Sequence, residues 1–374
     1  MVSSSIDDYG LRGRWIAWRN RLLSSPQFQR FAVRFPLTRP IARRRARGLF
    51  DLVAGFTYSQ ILAACVLTGL LELLSQGPMS ANSVASETDL PVAGAERLLR
   101  AAAALDLVQP LGAAWVLGSA GAALLGNRGI AEMVAHHALL YADLADPVAL
   151  LRRGGGGGAL SGLWSYAESA GAGDDEAVAA YSALMAASQP LIAEQVFDTY
   201  DFARHRKLLD VGGGEGAFLA EVGARVPRLH LSLFDLPAVG DRARRRLESA
   251  GLANRVEIFG GNFLADALPD GHDLISLVRV LHDHDDEPAL KLLRSIHAAL
   301  LPGGTLLIAE PMAQTPGAAP AGDAYFGFYL LAMGSGRPRS PAEIAAMLRA
   351  AGFAKSRLLA TALPLTTRVI IARR

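Results

Sequence analysis

The chain is poor in cysteine and has no long uninterrupted apolar run. Its single cysteine, Cys65, excludes an intramolecular disulfide and a cysteine-built metal site, which fits a reducing compartment. No apolar segment near residue 1 resembles a secretory signal peptide, and the longest apolar run, Ile61–Leu71, is too short to span a bilayer. A chain of 374 residues has room for about two domains. From the lone cysteine and the lack of a signal-like segment, we expect a cytoplasmic protein.

Lysine is also scarce, and acidic residues are missing from most of the first 50 positions. The net charge is +2, yet no acid occurs between Asp8 and Asp51. The same interval contains eleven arginines, Arg12, Arg14, Arg19, Arg21, Arg30, Arg34, Arg39, Arg43, Arg44, Arg45 and Arg47. Aromatic side chains alternate with them, including Trp15, Trp18, Phe28, Phe31 and Phe35.

This composition is typical of a helix that lies in the interface of an anionic membrane. We therefore expect peripheral association with the cytoplasmic face of the inner membrane through residues 12–47. Two alternatives stay open: a solvated, partly disordered leader, and an arm that packs on a dimer partner. The bulky apolar pairs do not favour a nucleic-acid arm.

Short amphipathic helices dominate the residues that follow. Apolar spacing predicts helices over Ile61–Leu74, Ser80–Asp89 and Ala93–Leu105, followed by a hairpin over Val108–Leu117. This is a winged-helix pattern, which raises the possibility of DNA binding. The candidate recognition helix, Ala93–Leu105, carries only Arg97 and Arg100 and is otherwise mostly alanine and leucine. A helix that reads a DNA groove needs several polar side chains that reach base edges, so a dimerisation module is the favoured interpretation.

Residues 126–200 are predicted to be mainly helical and to contribute to a substrate pocket. Five consecutive glycines, Gly154–Gly158, predict a flexible loop within this region. His136 and His137 also lie there, and the pattern assigns them no role. The predicted division is therefore 1–48, 49–125, 126–200 and 201–374.

From Lys207 onward, strands alternate with helices, which predicts a parallel α/β sheet. The strands are predicted at Lys207–Val211, Leu229–Phe234, Arg255–Phe259, Leu274–Leu281 and Thr305–Ala309. The final runs, Ser356–Leu363 and Arg368–Ala372, are separated by four residues and predict an antiparallel hairpin at the sheet edge.

The first strand of this sheet leads directly into a glycine-rich turn. Leu208–Gly216 reads Leu-Leu-Asp-Val-Gly-Gly-Gly-Glu-Gly, and the next strand is followed by Asp235. Glycines let the backbone approach a ligand closely, and an acid at the end of the next strand can accept bonds from a ribose diol. The turn predicts a nucleoside cofactor, although its match to the dinucleotide fingerprint is weak on its own.

Further motifs change the interpretation of this turn. They are the turn Gly260–Phe263, the run Leu281–Glu287, the loop Leu301–Leu306 before Glu310, and the terminal hairpin. Together they resemble the S-adenosylmethionine (SAM)-dependent O-methyltransferases of the plant caffeic-acid type and their bacterial relatives, over residues 50–374. The resemblance implies a Rossmann-like, seven-stranded sheet with an antiparallel C-terminal strand, preceded by a helical winged-helix-like dimerisation domain, and a homodimer.

The resemblance also assigns site residues. It places SAM against a set of residues at the strand ends: Asp210, Gly212, Gly214, Asp235, Leu236, Asn262 and Phe263. The family's basic residue falls on Val278, and Arg279 is the candidate substitute.

On the acceptor side, the resemblance makes His282 the general base, oriented by Glu310 and adjoined by Asp283. The family's second orienting glutamate falls on Pro338. The cluster His282–Glu287 superficially resembles a metal site, but adjacent side chains point in different directions and we expect no metal.

The segment Trp15–Ala46 and the run Ser276–His284 resemble one branch most, the bacterial demethylspheroidene (hydroxyneurosporene) O-methyltransferases of purple phototrophs. This branch implies methylation of a tertiary hydroxyl on an acyclic carotenoid. An uncharged aromatic-aliphatic stretch suits such an acceptor: Tyr325, Phe326, Phe328, Tyr329, Leu330, Leu331 and Met333. A phenolic or polyketide acceptor is the alternative, and a SAM-sensing winged-helix DNA-binding protein is a third hypothesis.

Overall fold

A computed structural model describes residues 10–162 and 189–374. The chain divides into two compact units, Met1–Ala120 and Gly121–Arg374, which are treated separately below. Residues 163–188, which belong to the predicted helical region 126–200, lie outside the described residues, as do residues 1–9.

The first unit is helical and ends in a small hairpin. Its helices are α1 (Gly10–Ser24), α2 (Pro26–Arg34), α3 (Arg39–Leu67), α4 (Leu70–Ser75), α5 (Ala81–Glu87) and α6 (Val92–Ala104). Strands β1 (Val108–Leu111) and β2 (Ala114–Leu117) pair antiparallel, as predicted. The single helix predicted over Ile61–Leu74 is wrong, because Gly69 adopts a left-handed conformation (φ 64°) that ends α3 and starts α4.

Helix α3 is longer than the apolar run suggested. Its 29 residues are long and apolar enough to cross a bilayer by length and composition alone, and 11% of the apolar window is buried within the chain. The run Ile61–Leu71, which is too short on its own to span a bilayer, supplies only the C-terminal residues of this helix, up to Leu67. A helix that packs against a second subunit has the same features.

The second unit is an α/β sheet preceded by helices. Helix α7 (Ser119–Leu125) crosses the division between the units, and α8 (Arg128–Asp143) and α9 (Pro147–Arg152) follow it. The strands are β3 (Lys207–Val211), β4 (His230–Asp235), β5 (Val256–Gly260), β6 (His272–Val278), β7 (Leu300–Glu310), β8 (Lys355–Leu359) and β9 (Arg368–Arg373). The later helices are α10 (Ala217–Arg225), α11 (Pro237–Ser249), α12 (Asp286–Ala299), α13 (Gly327–Met333) and α14 (Pro341–Ala350).

The sheet order is β5-β4-β3-β6-β7-β9-β8, with β9 antiparallel to both of its neighbours. The predicted mostly parallel sheet with an antiparallel end is therefore confirmed. The order reverses between β3 and β6, and ligands of such sheets bind at the carboxyl ends of the strands at this point. The glycine-rich turn follows β3, and the His282 turn follows β6.

The prediction that Gly154–Gly158 is a flexible loop is wrong. Gly154, Gly155, Gly156 and Gly157 all adopt left-handed φ angles, between 62° and 103°. The Gly156 N–H donates to the Leu331 carbonyl at 2.9 Å, and a Cβ at Gly155 would lie 2.5 Å from that same oxygen. The glycines are needed because this backbone packs directly against α13.

Asp143 completes the loop from the end of α8. Its carboxylate accepts the N–H groups of Ala159 at 2.7 Å and Leu160 at 2.9 Å. A Cβ at Gly158 would lie 2.1 Å from Asp143 Oδ1, so no other residue fits there without displacing the carboxylate.

We therefore expect Gly158→Ala to lower the free energy of unfolding by about 2 kcal/mol, because the Asp143 carboxylate must leave its two N–H partners. Urea denaturation measures this change. Gly327→Ala is the matched control, because a Cβ there meets nothing within 4 Å and the backbone is helical (φ −58°). Equal midpoints for Gly158→Ala and wild type would contradict the packed loop.

Candidate active site

The glycine turn packs tightly against the ends of neighbouring strands. Gly212 has a φ of 68°, and a Cβ there would lie 2.8 Å from Val280 Cγ2 and 3.5 Å from Phe263 Cε1. A Cβ at Gly213 would lie 2.5 Å from Asp210 Oδ2. The turn therefore brings together residues that are 50 to 70 positions apart in the sequence.

Asp210 is buried beneath this turn. Its Oδ1 accepts a hydrogen bond from Ser276 Oγ at 2.5 Å, while Oδ2 has no hydrogen-bond partner within the part of the chain that the structure describes. Burial raises the pKa of Asp210 to about 7, although the bond from Ser276 lowers it. A buried carboxylate oxygen without a partner is suited to a cationic or hydrogen-bond-donating ligand.

Asp235 connects the turn to the end of β4. Its Oδ2 accepts the Gly214 N–H at 2.7 Å, and its Oδ1 accepts the Leu236 N–H at 2.7 Å. Burial raises the pKa of this carboxyl group, against the effect of the two N–H donors. Each oxygen keeps a further lone pair for a ligand hydroxyl, so Asp235 can both hold the turn and bind a diol.

The predicted adenine-side residues follow β5. Asn262 is exposed, and its Oδ1 accepts the Leu264 N–H at 2.9 Å. The Phe263 ring lies edge-on to His284, with 5.4 Å between ring centroids. The structure thus brings Phe263 against the glycine turn, whereas Asn262 lies beside it at the surface.

Glu215 is a residue of the turn for which the sequence pattern assigned no function. Its carboxylate forms ion pairs with Arg242 (3.7 Å) and Arg246 (3.0 Å), which both lie on α11. These ion pairs attach the turn to the helix that follows β4.

His282 lies in a short 3₁₀ turn, Leu281–Asp283, that follows β6. Its side chain is buried, and its Nε2 lies 3.2 Å from Asp283 Oδ1. No described residue hydrogen-bonds to Nδ1. Burial, together with the charges of Arg279 and Arg339, lowers the pKa of His282 to about 3. The imidazole is therefore neutral at physiological pH and keeps one basic nitrogen.

Glu310 reaches the main chain of this turn. Its Oε2 accepts the His282 backbone N–H at 3.1 Å, and neither Oε1 nor His282 Nδ1 has a hydrogen-bond partner among the described residues. The role of Glu310 in orienting His282 stays a prediction; in the structure its carboxylate contacts the main chain of His282 and not the imidazole ring. Burial raises the pKa of Glu310 to about 7, against the nearby charge of Arg339.

Arg339 also binds the turn that carries His282. Its guanidinium is fully buried and donates to the carbonyls of Leu281 (2.9 Å) and His284 (2.7 Å) and to Asp286 Oδ1. The segment around it follows the turn closely, since the Arg337 N–H donates to the His282 carbonyl at 2.9 Å. Pro338, at the position of the family's second glutamate, is thus flanked by arginines that bind the turn.

Arg279 has a left-handed backbone conformation (φ 58°), which is uncommon for a side chain other than glycine. Its N–H donates to the Ala309 carbonyl at 2.8 Å. Its charge helps to lower the pKa of His282, and it opposes the rise in the pKa values of Tyr325 and Tyr329 that burial causes. The structure therefore places this charge close to His282, and a contact with the cofactor stays a prediction.

Two histidines without a predicted role contact the aromatic stretch beside His282. His136 Nε2 lies 3.0 Å from the Tyr329 hydroxyl, and His137 Nε2 lies 2.7 Å from the Tyr325 hydroxyl. Phe326 lies between the two tyrosines in the sequence, and the centroid of its ring is 5.9 Å from that of the His282 ring. No local sequence signal could have paired residues that are 193 and 188 positions apart.

The pKa of Glu310 predicts a pH-dependent stability. The folded-state pKa of about 7 lies above the ordinary 4.5, so the native chain keeps a proton that the unfolded chain loses between these values. Stability therefore falls as the pH rises through this window. Relative to wild type, we expect Glu310→Gln to gain on the order of 3 kcal/mol between pH 4.5 and pH 8, measured by urea denaturation.

Glu343→Gln is the control for this measurement. The pKa of Glu343 is lowered to about 2, mainly by its bonds with Ser340, so this carboxylate stays ionised in the folded chain across that window and only the unfolded chain titrates, at the lower end. The difference between this variant and wild type should stay constant to within about 0.5 kcal/mol from pH 4.5 to 8. The same constancy for Glu310→Gln would contradict the raised pKa.

Both parts of the chain match family models. Residues 50–125 match the O-methyltransferase dimerisation domain, and residues 141–354 match the O-methyltransferase domain. Among solved structures, the mitomycin 7-O-methyltransferase MmcR has a TM-score of 0.73 at 28% identity and covers 90% of this chain and 100% of its own. Human N-acetylserotonin methyltransferase in complex with SAM shares the fold, with a TM-score of 0.73 at 23% identity over 88% of this chain and 97% of that chain.

Curated relatives extend the similarity over nearly the whole sequence. The demethylspheroidene O-methyltransferase of Cereibacter sphaeroides is 44% identical over 358 residues, which are 95% of this chain and 94% of that protein. The acetylserotonin O-methyltransferase of Mus musculus is 31% identical over 84% of this chain and 85% of its own length. With the glycine turn after β3 and the buried histidine after β6, these matches show that the chain belongs to the SAM-dependent O-methyltransferase family.

Proposed function

We propose that this enzyme methylates the tertiary hydroxyl of an acyclic carotenoid, as a homodimer. The observation that carries the proposal is its similarity to two proteins named demethylspheroidene O-methyltransferase, at 44% and 42% identity over 95% of the chain. The geometry is consistent with an apolar acceptor, because the ring beside His282 belongs to Phe326, in a stretch with no charge from Ala324 to Ser335.

The strand ends fit SAM as the methyl donor. We propose that Asp235 binds the ribose hydroxyls, and that the unpartnered Oδ2 of Asp210 receives a donor group at the methionine end. Gly214 leaves room on the outer side of the turn, since a Cβ there meets nothing within 4 Å. Bound there, the sulfonium supplies an electrophilic methyl group and its own leaving group.

His282 then has to accept the hydroxyl proton. An aliphatic alcohol has a pKa of about 15.7, close to that of water, so forming the alkoxide first is out of reach for a neutral imidazole. The proton becomes acidic only as the oxygen gains its new bond, and it leaves late. A weakly basic, buried imidazole is adequate for this step, and Glu310 and Arg339 hold it in place through its main chain.

A phenolic acceptor is the second candidate. A phenol has a pKa of about 10, so histidine is a more natural base for phenols than for tertiary alcohols. Relatives near 30% identity carry names with aromatic acceptors, such as acetylserotonin and a hydroxynaphthoate. The greater identity to the carotenoid-named relatives favours the first candidate.

We expect the purified enzyme to transfer a labelled methyl group from SAM to 1-hydroxy carotenoids in detergent. Loss of the base in His282→Ala should lower kcat by about 10² to 10⁴ with little change in the Kd of SAM, measured by calorimetry. His230→Gln is the control, because this exposed histidine is the first residue of β4 and therefore lies at the amino end of that strand, whereas the site lies at the carboxyl ends of the strands. Turnover of phenols without turnover of any carotenoid would overturn the proposal.

We also propose that residues 12–47 bind the anionic surface of the cytoplasmic membrane, where such a substrate resides. Trp15 and Trp18 on α1 are 55% and 58% exposed, and Phe31 on α2 stacks on Phe35 while staying 54% exposed. Arginines surround these rings without any acid. Two copies of this segment would repel each other, whereas an anionic lipid surface complements both its charge and its aromatic rings.

Flotation with vesicles tests this proposal. We expect binding to vesicles with 30% phosphatidylglycerol and about 100-fold weaker binding of the triple variant Arg43→Gln, Arg44→Gln, Arg45→Gln, at about 1 kcal/mol per charge. Arg244→Gln with Arg245→Gln is the matched control, because both arginines are exposed on α11. No binding to anionic vesicles, self-association through this segment, or equally tight binding to duplex DNA would overturn it.

A further inference from the structure

We propose that His136 and His137 are specificity-determining positioning residues. They hydrogen-bond to Tyr329 and Tyr325, respectively. These tyrosines and Phe326 form an aromatic wall beside His282, and the hydrogen bonds allow this wall to accept an apolar substrate. The inference rests on the proposed function, since it concerns the acceptor of that reaction. The hydrogen bonds of 3.0 Å and 2.7 Å involve the tyrosine hydroxyls, the polar atoms of an otherwise aromatic-aliphatic stretch.

The geometry connects these pairs to the base. The Tyr325 ring lies 5.0 Å from the Phe326 ring, the Tyr329 ring lies 6.4 Å from it, and Phe326 contacts His282 at 5.9 Å. Both tyrosines are therefore neighbours of Phe326, whose ring packs against that of His282. Both histidines belong to α8, so a single helix sets the position of the two hydroxyl groups.

All four side chains are uncharged at physiological pH. Burial lowers the pKa of His136 to about 4, and burial also lowers the pKa of His137. Burial raises the pKa of Tyr325 to about 12 and moves that of Tyr329 in the same direction. Each pair is thus a neutral hydrogen bond, which satisfies both polar groups without requiring a counter-charge in an apolar environment.

The aromatic wall also packs against a buried apolar cluster. Tyr329 belongs to this cluster together with Leu150, Leu160 and Met333, and Tyr325 packs against it. A hydroxyl that loses its histidine partner is therefore left unpaired in a largely apolar environment, which costs free energy. Met133 Sδ, at 3.5 Å from the Tyr325 hydroxyl, is too weak an acceptor to replace the imidazole.

A double-mutant cycle tests this inference. In His137→Phe, the unpaired Tyr325 hydroxyl should raise the KM for a hydroxylated carotenoid about 10-fold with kcat within about 3-fold of wild type, because His282 is untouched. Tyr325→Phe leaves the imidazole unpaired and should act in the same direction. The double variant replaces both partners by apolar rings, and its KM should return to within about 3-fold of wild type.

Tyr141→Phe is the matched control. The Tyr141 ring packs on His137 at 6.0 Å, so the variant removes a hydroxyl from the same neighbourhood, and we expect its KM within 2-fold of wild type. The pair His136 and Tyr329 gives a second, independent cycle.

Assays of the wild-type enzyme test the proposed function, and assays of the variants test this inference. A wild type that methylates phenols but no carotenoid overturns both. If wild type methylates the carotenoid, three results overturn the inference alone: a double variant no better than the single ones, a loss confined to kcat, or equal losses for a short polar tertiary alcohol. The first two would make Tyr325 a direct contact of the reacting hydroxyl, and the third would make the pairs merely structural.

Discussion

The rest of the site depends on one buried cation. The Arg339 guanidinium has no exposed surface, so its charge must be met by the groups around it. It is met by the carbonyls of Leu281 and His284 and by Asp286, and these groups lie in and just after the turn that carries His282, up to the first residue of α12. Because a planar guanidinium binds in a few directions only, satisfying it also sets the geometry of the turn.

Glu310, at the end of β7, interacts with this charge. It accepts the His282 N–H, and the charge of Arg339 favours its ionised form while burial opposes it. The His282 imidazole stays neutral because burial and the same cation disfavour its protonation. One charge therefore shapes the turn, offsets the burial of the carboxylate and keeps the imidazole available for a proton.

On the cofactor side, buried charged groups again organise the backbone, but there the groups are carboxylates. Buried carboxylates, Asp210 and Asp235, lie beneath and beside a turn whose glycines bring N–H groups toward them. Asp235 is satisfied by main-chain donors, while Asp210 retains an oxygen without a partner among the described residues. The two halves meet where the strand order reverses, so that the buried carboxylates and the neutral His282 imidazole lie at adjacent strand ends.

Local patterns in the sequence were sufficient for the elements themselves. The strands around Asp210 and Asp235, the glycine turn and the terminal hairpin follow from apolar runs and turn residues, whose signals lie within a few positions. Patterns failed where one residue changed the backbone, as at Gly69, which divides a predicted helix. They failed again at Gly154–Gly158, because glycine permits both a mobile loop and the closest packing, and only the neighbouring α13 decides between them.

What the sequence determined alone was the mostly parallel sheet with its antiparallel end and the position of the glycine turn, because each depends on short-range spacing or on motifs that resemble a family; His282 as the base stays a prediction from the same resemblance. Tertiary structure decided which contacts these residues make. It placed Glu310 on the main chain of His282, Arg339 on the carbonyls around the same turn, and His136 and His137 on tyrosines 193 and 188 positions away. These contacts depend on burial and on the directions of hydrogen bonds, which arise only when distant segments pack together.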